Sequence, residues 1–195
     1  AQTTYRYDPG SGLLSDVTRP NGVKTIYRYD GSGRLTELEH RDSSALIALY
    51  HSEYDNASRR TELHVTTPQR TRKEKYTYDD FGQVTEVQYS DDATFDDNDK
   101  KVSYTYDKNG NRLSLIVRVN QVIEEHTRYF YTQENRLQET HELYSKERTR
   151  YFYDPAGNRI AKVSGDATTH YRYNEIHLLT KIITTTKDIS FEYDP

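Results

Sequence analysis

The sequence predicts an all-β protein, a repeat of β-hairpins forming a curved, single-layer antiparallel sheet strip. Three observations predict it: a Tyr-x-Tyr-Asp motif recurs from end to end, a glycine follows most copies within a few residues, and the composition is too polar for a thick core. Only 33% of the 195 residues are hydrophobic and the mean hydropathy is −1.05. Such polarity alone would suggest disorder. Yet 12% of the chain is aromatic, and all 19 tyrosines except Tyr50, Tyr89 and Tyr144 lie in the recurring motif. A sheet one layer thick reconciles the two facts, because each repeat relies on its neighbours for its core.

The clear copies are Tyr5-Arg6-Tyr7-Asp8, Tyr27-Arg28-Tyr29-Asp30, Tyr76-Thr77-Tyr78-Asp79, Tyr104-Thr105-Tyr106-Asp107 and Tyr151-Phe152-Tyr153-Asp154. They are followed by Gly12, Gly33, Gly82, Gly110 and Gly157. Four worn copies start at Ser52, Tyr129, Tyr171 and Phe191. The starts at 5, 27, 52, 76, 104, 129, 151, 171 and 191 are separated by 20 to 28 residues, a period that signals a repeat architecture. One continuous array over residues 1–195 is expected, with eight complete repeats and a ninth begun at 191.

In an extended strand, residues i and i+2 share a face, so the two tyrosines of a motif stand together and the residue between them points away. That residue varies: Arg6, Arg28, Glu53, Thr77, Thr105, Phe130, Phe152, Arg172 and Glu192. Next comes a turn. Asp30-Gly31-Ser32-Gly33 and Asp107-Lys108-Asn109-Gly110 place Asp first and Gly fourth, where the carboxylate caps a backbone N–H and glycine supplies positive φ. Asn135 replaces that glycine tolerably; Ser58 is a poorer substitute. A second strand then opens on an apolar residue, as in Arg34-Leu35, Gln83-Val84, Arg112-Leu113, Arg136-Leu137 and Arg159-Ile160. Leu113, Leu115, Val117 and Val119 extend the alternation. A second, variable turn closes each repeat and accounts for the drift in period.

In chain order, the first repeat has one extra residue in its turn, Asp8-Pro9-Gly10-Ser11-Gly12, and closes at Pro20-Asn21-Gly22, the strongest hairpin signal present. The second is regular from Tyr27 to Leu38, then turns at Arg41-Asp42-Ser43-Ser44. Ala45 to Leu49 is read as strand, because the repeat leaves no room for a helix. The third is the most degraded, with Ser52 for tyrosine, Ser58 for glycine and Arg60 where leucine is expected, and is a candidate weak point. The fourth carries an acidic insertion from Ser90 to Asp99. The fifth to eighth are compact, with closing turns at Val119-Asn120-Gln121 and Gly165-Asp166 in two of them.

Tyr-x-Tyr-Asp-x-x-Gly-Asn-Arg-Leu/Ile, as in Tyr104 to Leu113 and Tyr151 to Ile160, resembles the tyrosine-aspartate (YD) repeat of the rearrangement-hotspot (RHS) family. That family includes polymorphic toxins, insecticidal toxin complexes, wall-associated proteins and teneurins. The resemblance implies a β-strip that spirals into a hollow shell, enclosing a C-terminal toxic domain in some members and serving outside the cell as an adhesive module in others. The terminal segment that performs aspartate-dependent self-cleavage in toxin members has no counterpart here, so that activity is not carried over. The expected role is a non-catalytic structural module of such a shell, secreted or at the cell surface; the alternative is an adhesion module binding glycan or protein. Expected partners are neighbouring YD repeats, or a toxin or cargo domain of the parent chain.

The chain has no methionine, opens at Ala1 just before a motif and stops at Pro195 within one, which suggests a fragment of a longer array. Truncation would expose strand edges that template self-association. No disulfide can form without cysteine. The formal charge of −4 argues against a nucleic-acid partner, and the longest aliphatic run is too short for a membrane span.

No catalytic or cofactor-binding residue is assigned, and no metal ligand. His40, His51, His64, His126, His141, His170 and His177 are scattered, without the helical spacing of a zinc site. Gly10-Ser11-Gly12 lies in a turn and lacks the frame of a nucleophile elbow. Glu124-Glu125 read as solvated neighbours rather than an acid–base pair. The acidic loop Asp91 to Asp99 raises a calcium question, although it lacks the glycine and closing glutamate of an EF-hand. The tyrosine rows are read as core packing on the covered face, with the binding of sugar rings as the alternative. Arg34, Arg112, Arg136 and Arg159 are expected to pair with nearby carboxylates instead of forming an anion-binding stripe.

Overall fold

The computed structural model describes residues 2–43, 45–92 and 94–193. Ala1, Ser44 of the second repeat's closing turn, Ala93 of the acidic loop, and Asp194 and Pro195 of the ninth motif lie outside the described residues. The fold is all-β: seventeen strands, and no helix among the described residues. The chain divides into two compact units, one running to Val102 with Val119–Gln121, the other comprising Ser103–Arg118 and the residues from Val122 on.

The first unit is built on β1 (Thr4–Tyr7), β2 (Leu14–Thr18), β3 (Val23–Tyr29), β4 (Leu35–Asp42), β5 (Ala45–Tyr54), β6 (Arg60–Thr66), β7 (Thr71–Tyr78) and β8 (Val84–Ser90). Each pairs antiparallel with the next in chain order. β9 (Lys100–Tyr106) and β10 (Arg112–Val119) pair with each other. In the second unit β11 (Val122–Tyr131), β12 (Leu137–Glu142), β13 (Arg148–Tyr153), β14 (Arg159–Ser164), β15 (Ala167–Tyr173), β16 (Leu179–Ile183) and β17 (Asp188–Ser190) again pair in order. Ala45 to Leu49 is strand, as expected.

The predicted alternation is present in the copies from Tyr27 to Tyr173, while the first copy and the described residues of the ninth are exposed throughout. Arg6, Arg28, Glu53, Thr77, Thr105, Phe130, Phe152, Arg172 and Glu192 are all exposed, whereas the motif tyrosines from Tyr27 to Tyr173 are half-buried. The tyrosine face also carries the few buried apolar side chains of the first unit's sheet, Val17, Ala48 and Val87. The opposite face of that unit is charged. Two faces of such different character are what fix strand register, since a slip of one residue would exchange them.

One feature of the hairpin was not anticipated. The register shifts between the middle residue and the second tyrosine, at Arg6/Tyr7, Arg28/Tyr29, Glu53/Tyr54, Thr77/Tyr78, Phe130/Tyr131, Phe152/Tyr153 and Arg172/Tyr173. Tyr153 faces Arg159 and Phe152 faces Ala161, leaving Ile160 as the extra residue of a β-bulge. In two other copies the extra residue is Thr36 or Thr180, whose hydroxyl donates to the carbonyl of Arg28 or Arg172.

The bulge corrects the alignment of the second strands. The residue opposite the second tyrosine stands two places after the positive-φ residue of the turn: Leu14, Leu35, Arg60, Val84, Leu137, Arg159 and Leu179. Arg60 is therefore not a lost leucine but the same choice as Arg159. Ile160, read from sequence as the apolar residue that opens the second strand, is 40% exposed, and Leu113, at the same offset after Gly110, is 42% exposed. The ninth motif departs as well, since β17 ends at Ser190, before Phe191.

Candidate functional site

The surface with most organised chemistry is a ladder of turns and tyrosines that ties hairpins to their neighbours within each unit. At each well-formed turn the motif aspartate caps its own loop. Asp30 Oδ1 accepts from the backbone N–H groups of Ser32 at 2.9 Å and Arg34 at 3.0 Å. Asp154 Oδ1 accepts from the N–H of Asn158 at 2.8 Å. The fourth turn residue has positive φ in each: 77° at Gly33, 61° at Ser58, 58° at Asn135 and 92° at Gly157. Ser58 thus keeps the conformation despite its side chain.

The residue after that position returns a side chain to the second carboxylate oxygen. Arg34 Nε donates to Asp30 and Arg59 Nε to Asp55, both at 2.7 Å. Asn111 and Asn158 make the equivalent bonds to Asp107 and Asp154 at 2.9 and 2.8 Å. These bonds hold the carboxylates below their ordinary range. Backbone hydrogen bonds from Arg34 and Arg59 lead for Asp30 and Asp55, and the asparagine side chains lead for Asp107 and Asp154.

The same side chains reach forward to the next turn. Arg34 Nη1 donates to the carbonyl of Asp55 at 2.8 Å, Arg59 to that of Asp79 at 3.2 Å and Arg136 to that of Asp154 at 3.2 Å. Asn111 Nδ2 donates to Asn135 Oδ1 at 2.9 Å. The second tyrosine reaches back: Tyr54 Oη donates to the carbonyl of Leu35 at 2.7 Å, and Tyr78 to that of Arg60 at 2.7 Å. Tyr131, Tyr153 and Tyr173 do likewise with Arg112, Leu137 and Arg159 at 3.0, 2.8 and 3.1 Å. Burial raises the phenols of Tyr78, Tyr129 and Tyr131. Burial first, then the hydrogen-bonded Glu74 carboxylate, pushes Tyr76 up to about 12.

The four arginines singled out from sequence divide by offset. Arg34, one place after the turn glycine, forms the expected carboxylate pair. Arg112 and Arg159, two places after it, lie on the tyrosine face instead: the guanidinium carbon of Arg112 is 4.6 Å from the Tyr129 ring centre and that of Arg159 is 4.7 Å from Tyr151. Their Nε atoms are buried without a hydrogen-bond partner. Arg136 uses a carbonyl and lies 6.0 Å over Tyr153. The expectation of repeated ion pairs is corrected for these three. For Arg112 and Arg159 one residue of offset changes the face of the strand and therefore the partner; Arg136 shares the offset of Arg34 but has Thr132 in place of the motif aspartate.

Arginines lie over many of the tyrosine rings. Markedly exposed are Tyr5 and Tyr7 in β1, Tyr144 in a loop, and Tyr193. The acidic insertion uses its carboxylates on itself. Asp92 accepts from the Thr94 N–H at 2.7 Å, Asp96 from the Asn98 N–H at 2.6 Å, and Asp99 from the Asp96 N–H and Gln88 Nε2, both at 2.9 Å. An open pocket of about 820 Å³ borders this loop, with Arg70 and Arg72 also in its lining. Gly10 and Ser11 donate to Asp8, as turn residues.

The histidines separate into different settings. His40 Nδ1 lies 3.0 Å from the buried Thr25 hydroxyl, His141 packs its ring 4.6 Å from Phe130, and His177 occupies a positive-φ turn position. His51 and His64 face each other across β5 and β6 beside Glu53 and Glu62. Sequence spacing could not show this, because the juxtaposition depends on strand register.

Residues 7–45, from the second tyrosine of the first motif to the start of β5, match the RHS Repeat family. That segment of the chain is similar to RHS repeats. Outside the matched segment, the turns at Asp55, Asp107 and Asp154 reproduce the capping geometry of the RHS turn at Asp30. A sequence search of curated proteins finds no match. Among solved structures, the crystal structure of TcdB2-TccC3-Cdc42 matches 98% of this chain with a TM-score of 0.63 and 17% identity. That of TcdB2-TccC3 matches 95% with a TM-score of 0.53 and 15% identity. The chain spans 11% and 13% of the lengths of those two proteins, and at these identities the likeness is one of fold. Among the described residues no helix is long and apolar enough to cross a membrane.

Proposed function

We propose that the chain is a non-catalytic structural module, a segment of the β-wall of an RHS shell that encloses or scaffolds a toxin or other C-terminal domain. The observation that carries this reading is the ladder. The ionisable and aromatic groups of the motif are engaged in joining one hairpin to the next, forward through Arg34 or Asn111 and back through the second tyrosine. Because the acceptors are mostly backbone carbonyls, the unit can be repeated with little regard to its other side chains. That is a property suited to a wall.

The RHS match over residues 7–45 and the fold likeness to TcdB2-TccC3 support this reading. The place of such a module is outside the cell or at its surface, and its immediate partners are adjoining repeats of one continuous array. A glycan-binding role finds less support, because arginine side chains lie over the rings of Tyr54, Tyr78, Tyr129 and Tyr151.

Limited proteolysis of the parent chain tests the proposal. A domain enclosed by the array stays intact under native conditions and is cut once the repeats are opened with mild denaturant. A following domain digested at once, with the array still intact, would refute enclosure.

A further inference from the structure

The charged face of β5 and β6 carries a group that the ladder does not use. His51 is paired directly with His64, and Glu53 directly with Glu62. Residues two apart on a strand point the same way, so all four side chains rise from one face and converge. Nε2 of His64 lies 3.0 Å from Oε2 of Glu62, and Nε2 of His51 lies 3.9 Å from Oε1 of Glu53. The two imidazole centres are 5.9 Å apart. Donor atoms of Glu53, Glu62 and His64 all fall within 4.8 Å of one another.

A tetrahedral ion held by bonds of roughly 2.0–2.2 Å needs donors separated by about 3.4 Å. The observed spacings bracket that value, and side-chain rotations on an open sheet face can close the difference. The donor chemistry selects the ion. Two imidazoles and two carboxylates suit zinc and its transition-metal neighbours, whereas calcium and magnesium take oxygen alone. Flanking charges act on both sides: Glu37 stands across from His51 on β4, and Lys73 and Lys75 across from His64 and Glu62 on β7.

We propose that His51, Glu53, Glu62 and His64 form a binding site for a divalent transition-metal ion, with zinc as the reference ligand, clasping β5 to β6. The clasp falls in the third repeat. Its motif has Ser52 in place of the first tyrosine and Ser58 in place of the turn glycine, so it is the repeat with most to gain from a cross-strand tie.

Calorimetric titration of the chain with zinc chloride in chelator-free buffer tests the assignment, alongside the His51→Ala/His64→Ala double variant. His170→Ala, an exposed histidine on β15, is the control. The wild type and the control are expected to bind one zinc per chain, and the double variant at least about tenfold more weakly, since even second-shell losses cost that much. Zinc raises the melting temperature of the wild type and not that of the double variant. If the double variant misfolds by circular dichroism, Glu53→Gln/Glu62→Gln serves in its place, and zinc-induced shifts confined to the His51 and His64 ring resonances give an independent readout. No zinc binding by the wild type, equal affinity in the variants, or shifts at other histidines instead would overturn the proposal.

Discussion

The hydroxyl of Tyr153 donates to the backbone carbonyl of Leu137, 2.8 Å away and one hairpin earlier in the chain. The acceptor is main chain, so the bond survives when leucine becomes arginine, as at Tyr173 and Arg159. A half-buried hydrogen bond of this kind contributes about 1 kcal/mol. Tyr153→Phe should therefore lower the unfolding free energy by about 1 kcal/mol, while Tyr5→Phe, at a 58% exposed residue, should change it little. Urea unfolding of the two variants makes the comparison, and equal losses would remove the bond from the account of stability.

The turn at Asp154 makes a second distinction. Gly157 has φ of 92°, and a Cβ there would meet the Arg136 guanidinium at 3.2 Å. Its neighbour Ala156 is exposed. The left-handed conformation costs a non-glycine residue roughly 1–2 kcal/mol, more when β-branched. Gly157→Val should lower the unfolding midpoint clearly and Ala156→Val hardly at all. Matching midpoints would contradict the turn geometry.

The hairpin, the tyrosine face and the turn chemistry were legible in the sequence because each depends on residues within about ten places of one another, and the period because the motif itself recurs. What was not legible depended on pairing across strands. The bulge at Ile160 is defined by which residues face Phe152 and Tyr153, and no local pattern distinguishes it from a regular strand. Without it Ile160 and Leu113 align with Leu35 and Leu137, and Arg60 looks like decay. The His51–His64 juxtaposition was hidden for the same reason: their separation along the chain carries no signal until β5 and β6 are registered.

The turn aspartates predict a pH dependence. Asp30, Asp55, Asp107 and Asp154 have carboxyls held below 3.8 by hydrogen bonds present only in the folded chain. A depressed folded value means that the stabilisation is complete above the unfolded pKa, roughly pH 4, and is lost as pH falls through the lower folded values. Glu142, pulled down to about 2, with the Ser145 side-chain hydrogen bond as the leading cause, acts in the same direction. Urea midpoints should be level near neutrality and fall below roughly pH 4. In the Asp107→Asn/Asp154→Asn double variant, which keeps an acceptor oxygen but cannot titrate, the fall should be shallower. A curve parallel to that of the wild type would sink the assignment.

The revised register makes the sharpest prediction. Arg159 and Leu137 occupy the same place in successive hairpins, each opposite a second tyrosine. Arg159 covers the Tyr151 ring with its guanidinium, and Leu137 is half-buried at the equivalent place. Arg159→Leu should therefore be tolerated within about 1 kcal/mol, because it exchanges one natural occupant for the other. The uncorrected alignment instead gives Ile160 the core role and places Arg159 on the solvent side. On that alignment Ile160→Ser would be the damaging change; on the observed one, with Ile160 as the exposed bulge residue, it should cost no more than a surface substitution, about 0.5 kcal/mol. Leu137→Ser removes the residue that packs opposite Tyr131 and should cost distinctly more than Ile160→Ser. Unfolding free energies of these three variants decide between the alignments, and an Ile160→Ser loss as large as that of Leu137→Ser would overturn the bulge.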